Sequence, residues 1–173
     1  KPYHVAEYGL TRTFQNVRLF EQMTVLDNIL VVLTKRNFLT ALFERPSHNH
    51  VTQAELILGK VGLLEKYDSL ARNLSYGQRK LLEIGRALAM DADIYLFDEP
   101  FAGLFKEMTK IIVSVIQELK KHGKTVVLIE HDMELIRSLT DYIFVLDSGA
   151  LLAKGTPEHV LKQPEVIEAY LGE

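Results

Sequence analysis

Apolar residues recur three and four apart over Met23 to Leu33, where Leu26, Ile29, Leu30 and Leu33 share one face of a predicted helix. Thr24 and Asp27 stand at its start with the spacing of an N-terminal capping pair. A second helix is predicted over Thr52 to Val61, with Gly62 as its stop, and a third over Tyr76 to Met90. Upstream, Gly9 to Gln15 alternates weakly and reads as a short strand with Phe14 as its large apolar residue. Residues 35–50 have no clear period, and Pro46, Ser47 and Asn49 mark a loop. After residue 90 the texture changes. A strand over 93–97 is followed by a helix over Lys106 to Lys121 that Gly123 ends, then a strand over 125–129 and a helix over Met133 to Leu139. Tyr142 to Leu146 reads as a strand, Ser148-Gly149 as a turn, and Leu151 to Ala153 as a short hairpin partner. Gly155-Thr156-Pro157-Glu158 opens a final helix, with Thr at the cap and Pro in the first turn. Strands alternating with helices predict an α/β fold with a mostly parallel sheet under helical cover.

Composition narrows this little. The chain has 173 residues, 47% hydrophobic and 25% charged, enough for one domain with a real core and an attached subdomain. The net charge of −3 gives no electrostatic case for nucleic acid. The absence of cysteine excludes disulfides, thiolate zinc sites and cysteine nucleophiles. The densest apolar run, Ile29 to Leu33, is far shorter than the roughly 18 residues that suggest a membrane span. Nothing at the N-terminus resembles a signal peptide. The first residue is Lys1, and the chain is expected to be part of a longer one. His48 and His50 are two apart in the predicted loop with no third ligand near, and read as solvated.

Chemistry concentrates in two places. Residues 94–99, Ile-Tyr-Leu-Phe-Asp-Glu, run four apolar residues into two carboxylates, and Pro100 stops the strand. Either this is a buried strand ending in a solvated acidic turn, or the strand delivers Asp98 and Glu99 to its C-terminal end, where open α/β sheets bind ligands. Leu74-Ser75-Tyr76-Gly77-Gln78 precedes the third helix. Ser75 and Gln78 have capping-box spacing, a complete structural account. The same helix N-terminus, with a glycine allowing close approach, would also suit a phosphate.

Together these segments resemble the signature motif and Walker B strand of ATP-binding-cassette (ABC) ATPases. The order continues: Gln15 in Thr13-Phe14-Gln15-Asn16 resembles the Q-loop, Ala102-Gly103-Leu104 the D-loop, and His131 after strand 125–129 the switch histidine. Motifs in this order are strongly specific, and the resemblance covers essentially the whole chain. It implies a P-loop NTPase fold of the ABC type, with 1–15 and 91–173 belonging to a RecA-like core and 16–90 to a helical subdomain. It implies ATP and Mg²⁺ as cofactors. Asp98 and Gln15 would serve the metal, Glu99 would act as general base on water, and His131 would bond the γ-phosphate. Ser75, Tyr76, Gly77 and Gln78 would meet a nucleotide held by a second ATPase subunit, the same or different. Further implied partners are membrane permease subunits and, indirectly, a solute-binding protein, with the chain peripheral on the cytoplasmic face. Val17, Leu19 and Phe20 would lie at the permease contact, or in ordinary subdomain core.

The phosphate cradle, Gly-x-x-x-x-Gly-Lys-Ser/Thr, does not occur in these residues. Gly123-Lys124-Thr125 is a decoy, because Glu118 stands where the first glycine is required and the local order is helix then strand. The family's P-loop precedes the Q-loop, so it is expected upstream of Lys1, and the chain is expected to lack its N-terminal part. The strand 93–97 then loses its usual neighbour and is expected to have an unpaired apolar edge unless another segment or another chain covers it, and the chain alone is expected to bind ATP poorly without hydrolysing it. Within the family the similarity is greatest to the ATP-binding subunits of branched-chain amino acid importers. It rests on Arg12 to Asn16, Arg18-Leu19-Phe20, Met23 to Asn28, the tyrosine at 76 and the ending Val166 to Glu173. Phe105 departs from the pattern, where an aspartate or asparagine is usual. Urea or amide importers, a lipopolysaccharide-export ATPase, or a non-catalytic binding module of the same fold are the alternatives.

Overall fold

The computed structural model describes residues 8–14, 17–34 and 48–171. Gln15 and most of the predicted 35–50 loop lie outside them. By its contacts the chain divides into two compact units, 1–129 and 130–173.

In the first unit, strand β1 (Leu10–Arg12), helix α1 (Val25–Leu33), helix α2 (His48–Lys60) and helix α3 (Tyr76–Ala89) precede strand β2 (Ile94–Asp98), helix α4 (Lys106–Lys121) and strand β3 (Thr125–Ile129). The three strands form a parallel sheet in the order β1-β2-β3. The sequence placed the unpaired apolar edge on the strand that ends in Asp98. Another segment of this chain covers it: β2 pairs on both sides, with Leu10 to Arg12 on one and Thr125 to Ile129 on the other. The short strand read over Gly9 to Gln15 is this covering segment, three residues long at Leu10–Arg12 and sufficient to pair with β2. Its backbone continues the ladder as Thr13 N–H donates to Leu96 C=O at 3.0 Å.

Thr24 caps α1, its hydroxyl accepting from Asp27 N–H at 3.0 Å. α1, α2 and α3 pack together, with Ile29, Ile57 and Val61 crowded around Gly85. α2 begins at His48, so His48 and His50 sit on its first turn and not in a loop. No group of three or more His, Cys, Asp or Glu is arranged for a metal among the described residues. Asn28 is fully buried and satisfied: its amide oxygen accepts from Phe20 N–H at 3.0 Å, and its amide nitrogen donates to the carbonyls of Phe20 and Thr24. A local side-chain bridge thus fixes the backbone at residue 20 to α1. β2 and α4 supply the other core, with Tyr95, Phe97, Ile112, Val115 and Ile116 buried.

The second unit contains helix α5 (Met133–Leu139), the antiparallel pair β4 (Ile143–Asp147) and β5 (Ala150–Gly155), and helices α6 (Pro157–Val160) and α7 (Pro164–Leu171). Ser148 and Gly149 both have positive φ, which matches the right-handed twist of a tight hairpin. Ile143, Val145, Val160 and Val166 form its buried cluster. The single final helix expected from residue 156 is two helices. Pro164 lacks the N–H an uninterrupted helix needs and disfavours helical geometry at Gln163. Among the described residues, no helix is long and apolar enough to cross a membrane.

Candidate functional site

Parallel pairing carries Asp98 and Glu99 to the C-terminal end of β2, between β1 and β3. Asp98 is the last strand residue, its side chain about one-fifth exposed. Its Oδ2 accepts from Arg12 Nη2 at 2.9 Å. The partner is 86 residues away in sequence and is set by the register that places Arg12 opposite Leu96. Asp98 thus presents oxygen donors at a strand end open to solvent. Mg²⁺ prefers oxygen and is usually held by one or two carboxylates together with substrate phosphates. The residue type and its partial exposure fit that ion, with Arg12 sharing or yielding the carboxylate.

Glu99 occupies left-handed backbone space, φ +46°. A non-glycine residue there is strained by about 1–3 kcal/mol and persists only where its surroundings over-determine it. Three hydrogen bonds do so: Glu99 N–H donates to Ile129 C=O at 3.0 Å, and Glu99 C=O accepts from Lys80 Nζ at 2.6 Å and from Ala102 N–H at 3.3 Å. A simple solvated acidic turn needs none of this. The turn that follows ends in Ala102, Gly103 and Leu104. Gly103 has φ +72°, and a Cβ there would come within 3.2 Å of the Tyr76 ring. The segment predicted as a D-loop and the tyrosine of the signature segment are therefore packed against each other.

Ser75 caps α3 in a complete capping box: Gln78 N–H donates to Ser75 Oγ at 3.3 Å, and Ser75 N–H donates to Gln78 Oε1 at 3.0 Å. Tyr76 is half exposed. The missing side chain of Gly77 has an internal reason, because a Cβ would collide with Met108 and press on Leu104. Gly77 therefore permits close packing of α3 on the segment entering α4. Phe105, the N-cap of α4, makes no side-chain capping bond and is 80% exposed.

Sequence reasoning missed the polar interior of α3. Lys80 and Glu83 are both buried. Glu83 Oε1 accepts from Phe14 N–H at 3.3 Å, and Arg18 N–H also bonds this carboxylate. Arg86 Nη1 donates to Arg18 C=O at 2.5 Å, with its guanidinium 4.9 Å from the Phe20 ring centre. Arg18 in turn lies over the Phe14 ring at 4.3 Å. Burial pushes the Glu83 carboxyl above its ordinary range, and the Phe14 and Arg18 N–H groups, Arg86 and Lys80 oppose that shift without cancelling it. The signal available beforehand was the three-residue spacing of Lys80, Glu83 and Arg86. That spacing shows which side of a helix they occupy, but not that the side faces inward.

Gln15 lies outside the described residues. His131 belongs to the second unit, just ahead of α5. It is exposed, with Nδ1 3.9 Å from Glu130 Oε2. The next residue, Asp132, caps α5 by accepting from Glu134 and Leu135 N–H at 2.9 and 3.2 Å.

Residues 4–102 match the ABC transporter family, and residues 150–173 match the branched-chain amino acid ATP-binding cassette transporter family. The chain is 42% identical to the high-affinity branched-chain amino acid transport ATP-binding protein LivG of Escherichia coli, covering 98% of this chain and 70% of that protein. It is likewise 42% identical to BraF of Pseudomonas aeruginosa, described in the same terms, over 99% of this chain and 71% of that protein. Among solved structures it resembles the ADP conformation of an ATP-binding cassette of an ABC transporter, with TM-score 0.78, 34% identity, and coverage of 100% of this chain and 72% of the other. It also resembles a dimeric post-hydrolysis state of an ATP-binding cassette bound to ADP and Pi, with TM-score 0.75, 25% identity, and coverage of 86% and 62%.

Proposed function

Since this chain belongs to the ABC transporter family of ATP-binding cassettes, we propose that it forms the larger part of an ATP-hydrolysing subunit that powers import of branched-chain amino acids. The observation that carries the reading is Glu99. A carboxylate fixed at the C-terminal end of a parallel strand, beside Asp98, suits a general base that must lie within hydrogen-bond reach of a water. The 42% identity to two branched-chain amino acid transport proteins supports the substrate class.

In this reading the Glu99 carboxylate takes the proton of the attacking water. Asp98 and Gln15 would hold Mg²⁺, which would supply neutralisation of charge on the phosphates. His131 bonds the γ-phosphate. Ser75, Tyr76, Gly77 and Gln78 meet the nucleotide of a second subunit, and Ala102, Gly103 and Leu104 line the same junction; the dimeric neighbour supports a paired arrangement. Residues 16–90 act as a helical subdomain, a role favoured by the mutual packing of α1, α2 and α3. Val17, Leu19 and Phe20 face permease subunits. Phe20 is exposed, while Asn28 fixes its backbone, a combination suited to a rigid docking edge. The subunit then works on the cytoplasmic face of a membrane, with a solute-binding protein as an indirect partner.

The test is hydrolysis by the full-length protein in its transporter. Glu99→Gln is expected to lower kcat by about 10²–10⁴, the usual contribution of a general base, while ATP is still bound. Unchanged turnover would remove Glu99 from its role. The 173-residue chain itself, which contains no P-loop sequence, is expected to bind ATP weakly and turn none over when titrated to millimolar nucleotide. Micromolar binding with turnover would overturn that part.

A further inference from the structure

α3 reaches two segments of the proposed site through side chains that neither the motif order nor the family resemblance assigned. Lys80 Nζ bonds the carbonyl of Glu99 at 2.6 Å, one of the contacts that keep Glu99 in left-handed space. One turn further on, the Glu83 carboxylate takes N–H bonds from Phe14 and Arg18. Those two residues flank Gln15-Asn16 in sequence, so one carboxylate ties the backbone on both sides of the pair. Arg86 then holds Arg18 C=O from the same helix, and the stack of Arg18 on Phe14 closes the arrangement. The first residues of that helix are the capped Tyr76-Gly77-Gln78.

We propose that Lys80, Glu83 and Arg86 are positioning residues: a polar strut along α3 that sets the backbone on either side of Gln15 and at Glu99 relative to the signature segment. The proposal rests on the ATPase reading for its consequence, and on the hydrogen-bond geometry for its existence. A helix buried along this side would be served as well by leucine or alanine if packing were its only task. Burying Lys80 and Glu83 is costly unless they are bonded, and the groups they bond are backbone atoms of Phe14, Arg18 and Glu99. A displacement of α3 must therefore move those backbone groups or break charge-assisted bonds, which are the stronger class of hydrogen bond.

The experiment uses the full-length protein and two variants. Glu83→Ala removes the acceptor; Glu83→Gln keeps an amide oxygen that can accept from Phe14 and Arg18. Hydrogen exchange is measured at the amides of residues 14 and 18, with Val145 in the second unit as an internal reference. In Glu83→Ala those two amides are expected to exchange about tenfold faster, as the loss of a backbone-to-carboxylate bond implies, while Val145 is unchanged. kcat for ATP is expected to fall about tenfold or more, with KM within about threefold, because an interaction that orients reacting groups acts on the chemical step. Glu83→Gln is expected to restore most of the protection and most of kcat. Three results would overturn the proposal: amides at 14 and 18 that stay protected in Glu83→Ala, a Glu83→Gln variant as impaired as Glu83→Ala, or exchange that rises equally at Val145, which marks general destabilisation. If the wild-type protein hydrolyses no ATP, the functional reading fails, while the exchange result still decides whether the strut exists.

Discussion

Glu83 shows at the residue scale how a buried charge differs from a solvated one of the same sequence. Its folded-state pKa is raised, with burial as the largest cause. A raised carboxylate favours the folded state fully only below its unfolded value, ordinarily 4.5. That contribution is lost as pH rises through the elevated folded value, because the charge must then be carried out of water. The groups facing it, Lys80, Arg86 and the Phe14 and Arg18 amides, soften the loss without reversing it. Glu83→Gln does not titrate. The thermal-stability difference, variant minus wild type, is therefore expected to be more positive at about pH 7 than at about pH 4, read from melting curves at both. A difference that is flat or declines with pH would show that the ionised carboxylate is already fully compensated. Little of this was legible in the sequence, since the helical period places Lys80, Glu83 and Arg86 on one side but does not say what that side meets. The Arg12–Asp98 pair was hidden for a related reason: it depends on strand register between segments far apart in the chain.

At the scale of elements, local chemistry was more readable. Ser75 with Gln78 and Thr24 with Asp27 set their helix starts through bonds made within one turn, so spacing alone suffices to find them. The short β1 was legible as a strand within Gly9 to Gln15 but not in its partner, which depends on register with a segment far along the chain, and the break at Pro164 was harder because a second helix follows within a turn. The start of α4 is an element without its usual cap. Phe105 has the extended backbone of an N-cap, φ −75° and ψ 153°, but no side-chain atom that can accept from the first free amides. Its ring is largely in water, so replacing it sacrifices little packing. Phe105→Asp is expected to stabilise the chain by about 1 kcal/mol, through an N-terminal hydrogen bond and a favourable interaction with the helix dipole. The measurement is a urea midpoint that rises with an unchanged slope. A lower midpoint would mean that Phe105 contributes packing its exposure does not suggest.

At the scale of the whole molecule, each unit carries apolar side chains in water. In the first, β3 pairs only with β2 among the described residues, so one side of its backbone ladder is open. Val127 and Ile129, two apart and thus on one face, are 45% and 55% exposed. In the second, Leu146 and Leu151 are cross-strand partners, and both are exposed, as is Phe144. An apolar strand at a sheet edge is a template for pairing, and charged residues blunt it. The 173-residue chain is therefore expected to associate with itself as concentration rises at neutral pH. Ile129→Lys is expected to weaken that association by about tenfold, the factor corresponding to about 1.4 kcal/mol, which is comparable to failing to bury one isoleucine. The substitution also takes the net charge from −3 toward neutrality, which by itself reduces repulsion between copies. A fall in association would therefore have to come from the edge. Light scattering and sedimentation velocity across a concentration series read the effect. A wild-type chain that stays monomeric, or a lysine variant that associates as strongly, would show that the exposed face of β3 is not sticky.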